Sequence, residues 1–174
     1  MTFGDGLCLL LFPVLLTIMA FALGEYLARV FSEGQTFRIP LLSSFEKGLY
    51  RLLRVDENEN MTWKTYAISL IFFTDISLAA LFLLQELQGL LPFNPQKFQA
   101  VRWDTALNTA VSFVTNTNWQ SYSGERTMSY LTQMLGLTVQ NFASAAVGMA
   151  VLFALIRGFL RRNAAGIGNF WVDI

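Results

Sequence analysis

Asn108-Thr-Ala-Val-Ser-Phe-Val-Thr-Asn-Thr-Asn-Trp-Gln-Ser-Tyr-Ser-Gly-Glu125 carries no charge before its last residue, yet it is rich in Thr, Asn and Ser. Long apolar runs flank it on both sides. A polar, uncharged segment between two membrane spans predicts a re-entrant loop that lines a water-filled path. Irregular backbone persists at membrane depth only where it faces protein or such a cavity. Carbonyl and hydroxyl oxygens without fixed charge suit a monovalent cation that sheds its water. An ordinary polar loop built on side-chain turns is the other reading of the same residues.

The flanking runs set the class. Gly6 to Gly24 is uncharged over 19 residues, Thr65 to Gln85 carries only Asp75 over 21, and Thr127 to Ile156 is uncharged over 30. A span needs about 20 predominantly apolar residues, so three transmembrane helices are predicted. The mean hydropathy of +0.46 agrees with a multi-pass protein. The net charge is zero, which removes nucleic-acid binding through a basic surface. There is no His and one cysteine, Cys8, so neither an internal disulfide nor a Cys/His metal site can form. The first run reads as a retained helix and not as a signal peptide. Asp5 precedes it without any Lys or Arg, and no small-residue cleavage pattern follows.

Basic residues orient the spans. Arg29, Arg38, Lys47, Arg51, Arg54 and Lys64 lie at or between the first and second runs, and Arg157, Arg161 and Arg162 follow the third. Lys97, Arg102 and Arg126 surround the polar loop. The positive-inside rule then puts the 29–64 loop and the C-terminal end in the cytoplasm, with the N-terminus and 90–126 outside. Leu42, Phe45, Leu49, Leu52 and Leu53 recur at helical spacing, which predicts a short amphipathic helix. It lies at the membrane surface or against a partner, or it is a solvated linker. Leu91-Pro-Phe-Asn-Pro95 stops the second span. Asp104 is expected to N-cap a helix from Thr105 to about Val114, too short to cross a membrane. The partial negative charge at the C-terminal end of such a helix favours a cation. Thr115-Asn-Thr-Asn118 would follow as extended backbone, with Trp119 and Tyr122 near the outer interface.

Several segments together resemble KdpA, the potassium-binding subunit family of the bacterial Kdp P-type potassium-transporting ATPase. They are Leu107 to Glu125, Gln133 to Phe142, Ala154 to Gly158 and Gly168 to Asp173. Glu46 to Arg51, Met61 to Tyr66 and Leu91 to Gln96 extend the match over nearly the whole chain. The resemblance implies an all-α membrane protein with three transmembrane helices, one re-entrant pore helix and a filter loop. This is the first repeat of a four-repeat potassium transporter fold.

Residues 1–31 would be an extra N-terminal transmembrane helix and 32–64 a cytoplasmic loop with the amphipathic helix. Residues 65–162 would be the first helix–pore-loop–helix repeat, with spans 65–91 and 127–160, pore helix 104–114 and filter 115–119. Residues 163–174 would be a cytoplasmic segment before the next span. Family members are several times longer, so a truncated frame, a split gene or a fragment is expected.

The resemblance assigns potassium to the carbonyls of Thr115, Asn116, Thr117 and Asn118, with Gln120 just outside at a position tied to ion affinity. Gln140 and Asn141 either line the pore or hydrogen-bond between helices. No cofactor is implied beyond the transported potassium ion. The implied partners are the catalytic P-type ATPase subunit KdpB, which would hydrolyse ATP, the accessory subunits KdpC and KdpF, and lipid of the bacterial inner membrane. A non-transporting membrane fragment and a passive potassium channel subunit are the alternatives.

Three departures stand out. Asp75 falls mid-span, either as a cation-path carboxylate or as a protonated or partnered structural acid. Arg54 stands where the family has a glycine before Val55. The filter lacks a glycine, and Asn116 or Asn118 can replace it because Asn tolerates positive φ.

Overall fold

The computed structural model describes residues 3–31, 40–160 and 166–174, and it contains helices and no strands among them. Three helical segments are long and apolar enough to cross a membrane: Leu9–Tyr26, Trp63–Glu86 and Thr132–Leu160. The protein is an all-α membrane protein. It divides into two compact units, Met1–Arg54 and Val55–Ile174.

The first unit holds α1, Phe3–Phe31, and α2, Pro40–Leu53. The Leu9–Tyr26 window of α1 buries none of its residues, as a lipid-facing helix requires. Pro13 removes one backbone donor inside α1, and the Thr17 hydroxyl donates to the Pro13 carbonyl at 2.7 Å. Pro40 opens α2, where the missing N–H costs nothing. Arg54 closes it with φ of +56°, in the left-handed region that glycine usually fills after a helix. A side chain there costs about 1–2 kcal/mol. The expected cytoplasmic stretch 32–39 lies outside the described residues.

In the second unit, Thr62 caps α3, Trp63–Glu86, by accepting the Thr65 N–H at 3.3 Å. α3 ends at Glu86 and not at residue 91, where the Leu91–Pro95 stop signal places its end. Pro92 has no N–H to offer the Gln88 carbonyl. The Asn94 amide takes that role at 3.2 Å, and its two side-chain atoms also bond the Phe98 carbonyl and N–H. Polar side chains thus fold 87–98 into turns.

α4 spans Trp103–Val114, followed by a single turn, α5, at Gly124–Thr127. The third span, α6, covers Val139–Leu160 and is preceded without interruption by a π-helical stretch, Thr132–Thr138. The chain does not run helically from residue 127. The buried Gln88 amide donates to the Thr127 carbonyl at 2.9 Å, and its oxygen accepts the Ser129 N–H at 2.9 Å and the Thr132 hydroxyl at 3.2 Å. These bonds break the helix at Met128 and Ser129. The Thr138 hydroxyl donates five residues back to Gln133 at 2.8 Å. Gly136 allows this stretch to meet α3, since a Cβ would stand 2.8 Å from both Leu81 and Leu84.

Two apolar clusters hold the unit together. Leu81, Val101, Ala106, Ala110, Phe113, Met128 and Leu137 pack α3, α4 and the π-helical stretch together. Met61, Tyr66, Ala150, Ala154 and Phe170 pack the last described segment against α3 and α6. There α7, Phe170–Asp173, sets Phe170 edge-on to Tyr66 at 5.6 Å and to Trp171 at 5.2 Å. Arg157 donates to both Asp173 oxygens, at 2.5 and 2.9 Å, and the Tyr66 hydroxyl donates to one of them at 3.0 Å. Gly168, with φ of +111°, leaves room for that guanidinium.

Candidate functional site

α4 is anchored by small residues and one amide. Ala106 and Ala110 are fully buried, which brings its backbone close to α3. The Gln85 amide, buried in α3, donates to the Ala106 carbonyl at 3.1 Å and to Leu81 at 3.0 Å. The start of α4 differs from the sequence expectation. The helix begins at Trp103 with Arg102 as its cap, so Asp104 lies within the first turn. Arg102 pairs with the Asp104 carboxylate, which also accepts the Thr105 N–H at 2.8 Å. The Arg102 hydrogen bond holds that carboxyl down to about 2. The acid therefore keeps its favourable charge at the positive end of the helix.

The other end of α4 is closed by the loop that follows it. Asn116 N–H donates to the Phe113 carbonyl at 3.2 Å and Thr117 N–H to the Ser112 carbonyl at 2.8 Å. This pair of bonds around a left-handed residue is a Schellman cap. Asn116 supplies that residue with φ of +58°, and Asn118 follows with φ of +56°. Asn118 N–H also donates to Ser112, at 3.1 Å. The Ser112 hydroxyl donates to the Trp119 carbonyl at 2.9 Å. One serine thus gathers three residues of the loop.

The direction of the carbonyls follows. A trans peptide unit holds its C=O and N–H antiparallel, and none of the described peptides is cis. The N–H groups of Asn116, Thr117 and Asn118 share peptide units with the carbonyls of Thr115, Asn116 and Thr117. With those N–H groups turned back onto α4, the three carbonyls point away from it. Among the described residues, nothing donates a hydrogen bond to the carbonyl oxygens of Thr115, Asn116, Thr117 or Asn118. Residues 115–120 are exposed. The loop is thus not extended backbone, as expected from sequence, but a left-handed turn with outward oxygens.

The other named residues are distributed around it. Gln120 is exposed immediately beyond the Trp119 carbonyl that Ser112 holds. Gln140 is buried in α6 and Asn141 is exposed. Neither side chain bonds the loop. Ser144, one turn beyond Gln140, does: its hydroxyl reaches Asn116 Oδ1 at 3.3 Å while donating more closely to the Gln140 carbonyl at 2.7 Å. Ser112 and Ser144 are the residues tied to the loop that sequence reading did not single out for it. For Ser144 a signal existed, since it shares a helix face with Gln140. Asp75 is exposed on α3 and forms no ion pair or hydrogen bond with the described residues. Among those residues no group of three or more acids, His or Cys could hold a metal.

Fold and loop together define a multi-pass membrane protein that presents an uncharged, helix-capped array of backbone carbonyls between two spans. Residues 10–174 match the family model described as KdpA, potassium-transporting ATPase A subunit. The chain belongs to that family. It is 52% identical over 164 residues to the potassium-transporting ATPase potassium-binding subunit of Clostridium botulinum (strain Eklund 17B / Type B), covering 94% of this chain and 28% of the relative. It is 56% identical to the subunit of the same name from Chromobacterium violaceum, covering 94% of this chain and 27% of the relative. The Ralstonia nicotianae subunit is also 56% identical, covering 95% and 28%. The chain thus spans about 28% of the length of the first of these relatives.

Proposed function

We propose that this chain forms part of a potassium-binding subunit of an ATP-driven potassium import pump. It contributes one portion of the ion site, formed by the carbonyls of Thr115, Asn116, Thr117 and Asn118, with Gln120 at the mouth. The observation that carries this is the turned-back loop. Its N–H groups are spent on α4, and its carbonyl oxygens are left without donors. A dehydrating cation needs such oxygens on all sides, and one loop offers about a quarter of a ring built from four repeats. The relatives' names, which specify potassium binding within a potassium-transporting ATPase, support the choice of ion and of an ATPase complex. In this reading α4 is a re-entrant pore helix. ATP hydrolysis resides on a catalytic subunit corresponding to KdpB, with KdpC and KdpF as accessory subunits. The N-terminus faces outside and the 29–64 loop faces the cytoplasm, as the distribution of basic residues favours.

The test is a pair of charge substitutions in the assembled pump. Gln120→Arg places a cation at the mouth, where low-dielectric walls focus its field. It raises the potassium concentration needed for half-maximal uptake. Gln99→Arg, also exposed, leaves that concentration unchanged. Equal uptake kinetics for the two variants would remove Gln120 from the site.

A further inference from the structure

We infer that α2 is an interfacial helix seated in the headgroup region of an anionic lipid bilayer, with its apolar face towards the acyl chains. The inference rests on the membrane fold alone and does not depend on the potassium reading.

Phe45, Leu49, Leu52 and Leu53 of α2 are 68%, 39%, 77% and 62% exposed. At 3.6 residues per turn they fall within an arc of about 100°. Lys47 and Arg51 lie on the opposite side of the helix. Tyr50 donates to Glu46 at 2.8 Å along one flank, so that acid is engaged beside the apolar arc. Exposed apolar side chains forming a stripe on a polar-backed helix need a cover.

Three features select lipid as that cover. The arc contains no polar side chain, and the helix satisfies its own backbone, so the face has nothing to hydrogen-bond. That is what hydrocarbon requires. Residues 40–54 carry Lys47, Arg51 and Arg54 against Glu46 alone, an excess of positive charge that complements anionic headgroups. The chain also allows it. Eight residues lie between Phe31 of α1 and Pro40, and nine lie between Leu53 and Trp63 of α3. A fully extended chain of that length reaches only about 35 Å, so a bilayer-crossing helix lies close in sequence at both ends.

Reporter cysteines on the full chain test this. Cys8, the only cysteine, is replaced by Ala. Single cysteines then replace Phe45, Leu49 and Leu52 on one face and Lys47 and Arg51 on the other. Each is labelled with a small environment-sensitive fluorophore after reconstitution into phosphatidylcholine vesicles with or without phosphatidylglycerol. The expected result is several-fold stronger quenching by spin-labelled lipid at 45, 49 and 52 than at 47 and 51, with the reverse order for aqueous iodide. The contrast grows when phosphatidylglycerol is present. Iodide access to both faces would overturn the inference by showing a solvated helix. Protection of the apolar face from both quenchers would overturn it equally, by showing a protein cover.

Discussion

The carbonyl of Ser112 accepts the backbone N–H groups of both Thr117 and Asn118, at 2.8 and 3.1 Å. The same bonds that end α4 therefore aim the loop's own carbonyls outward. Helix capping and oxygen presentation are one arrangement, so a change that loosens the cap also disperses the oxygens.

Asn116 tests the left-handed turn directly. Asn116→Gly and Asn116→Ala both lose the side chain that Ser144 reaches, so the difference between them isolates the backbone. The Gly variant is expected to be more stable than the Ala variant by about 1 kcal/mol, because only Ala resists positive φ. Thermal unfolding in detergent micelles measures it. Equal stabilities would show that position 116 is not left-handed.

Ser112→Ala keeps the accepting carbonyl and removes the hydroxyl that holds Trp119. The expected loss is about 1 kcal/mol of stability, the usual net worth of one hydrogen bond. In the assembled pump it weakens potassium dependence more than maximal rate, and Ser112→Thr restores it. A variant with unaltered potassium dependence would confine Ser112 to structural support.

At the other end of the unit, Gly168→Ala drives a Cβ into Arg157 Nη1, at a φ of +111°. The Arg157–Asp173 pair must open or the turn must move. The expected destabilisation exceeds about 1 kcal/mol, the range for a side chain forced into an incompatible backbone. Gly148→Ala, where a Cβ meets nothing within 4 Å, is the control and stays close to the parent chain. Similar melting of the two variants would contradict the clamp.

Topology is read by labelling whole cells with a membrane-impermeant maleimide in the Cys8→Ala background. Gln99→Cys reacts from outside, and Lys47→Cys reacts only after the membrane is permeabilised. Labelling of position 47 alone in intact cells would invert the orientation.

The sequence displayed its spans because lipid demands long uncharged runs. It displayed the loop because Thr and Asn stand out between such runs. It did not reveal how the ends of elements are tied. Asp104 looked like a cap, but Arg102 draws its carboxylate aside and the helix starts one residue earlier than Asp104. The second span looked continuous to residue 91, and the third looked continuous from 127. The buried Gln88 interrupts the third through partners 39 to 44 residues away, a separation no periodicity records. Ser112 was invisible for a related reason, because its neighbours in sequence become its partners only once a left-handed residue reverses the chain. Asn116 and Asn118 were legible because few other side chains accept that conformation.

The π-helical stretch at Thr132–Thr138 also acts as a phase adjustment in the third span. Upstream of α6, Gly136 must face α3, and further along Ser144 must face Asn116. A residue added to or removed from a helix rotates everything beyond it by about 100°. The wide turns around Gly136 therefore fix the angular setting of the whole distal half of the span, like the offset between two gears on one shaft. A deletion there leaves length and hydropathy almost intact, yet turns Ser144 away from the loop.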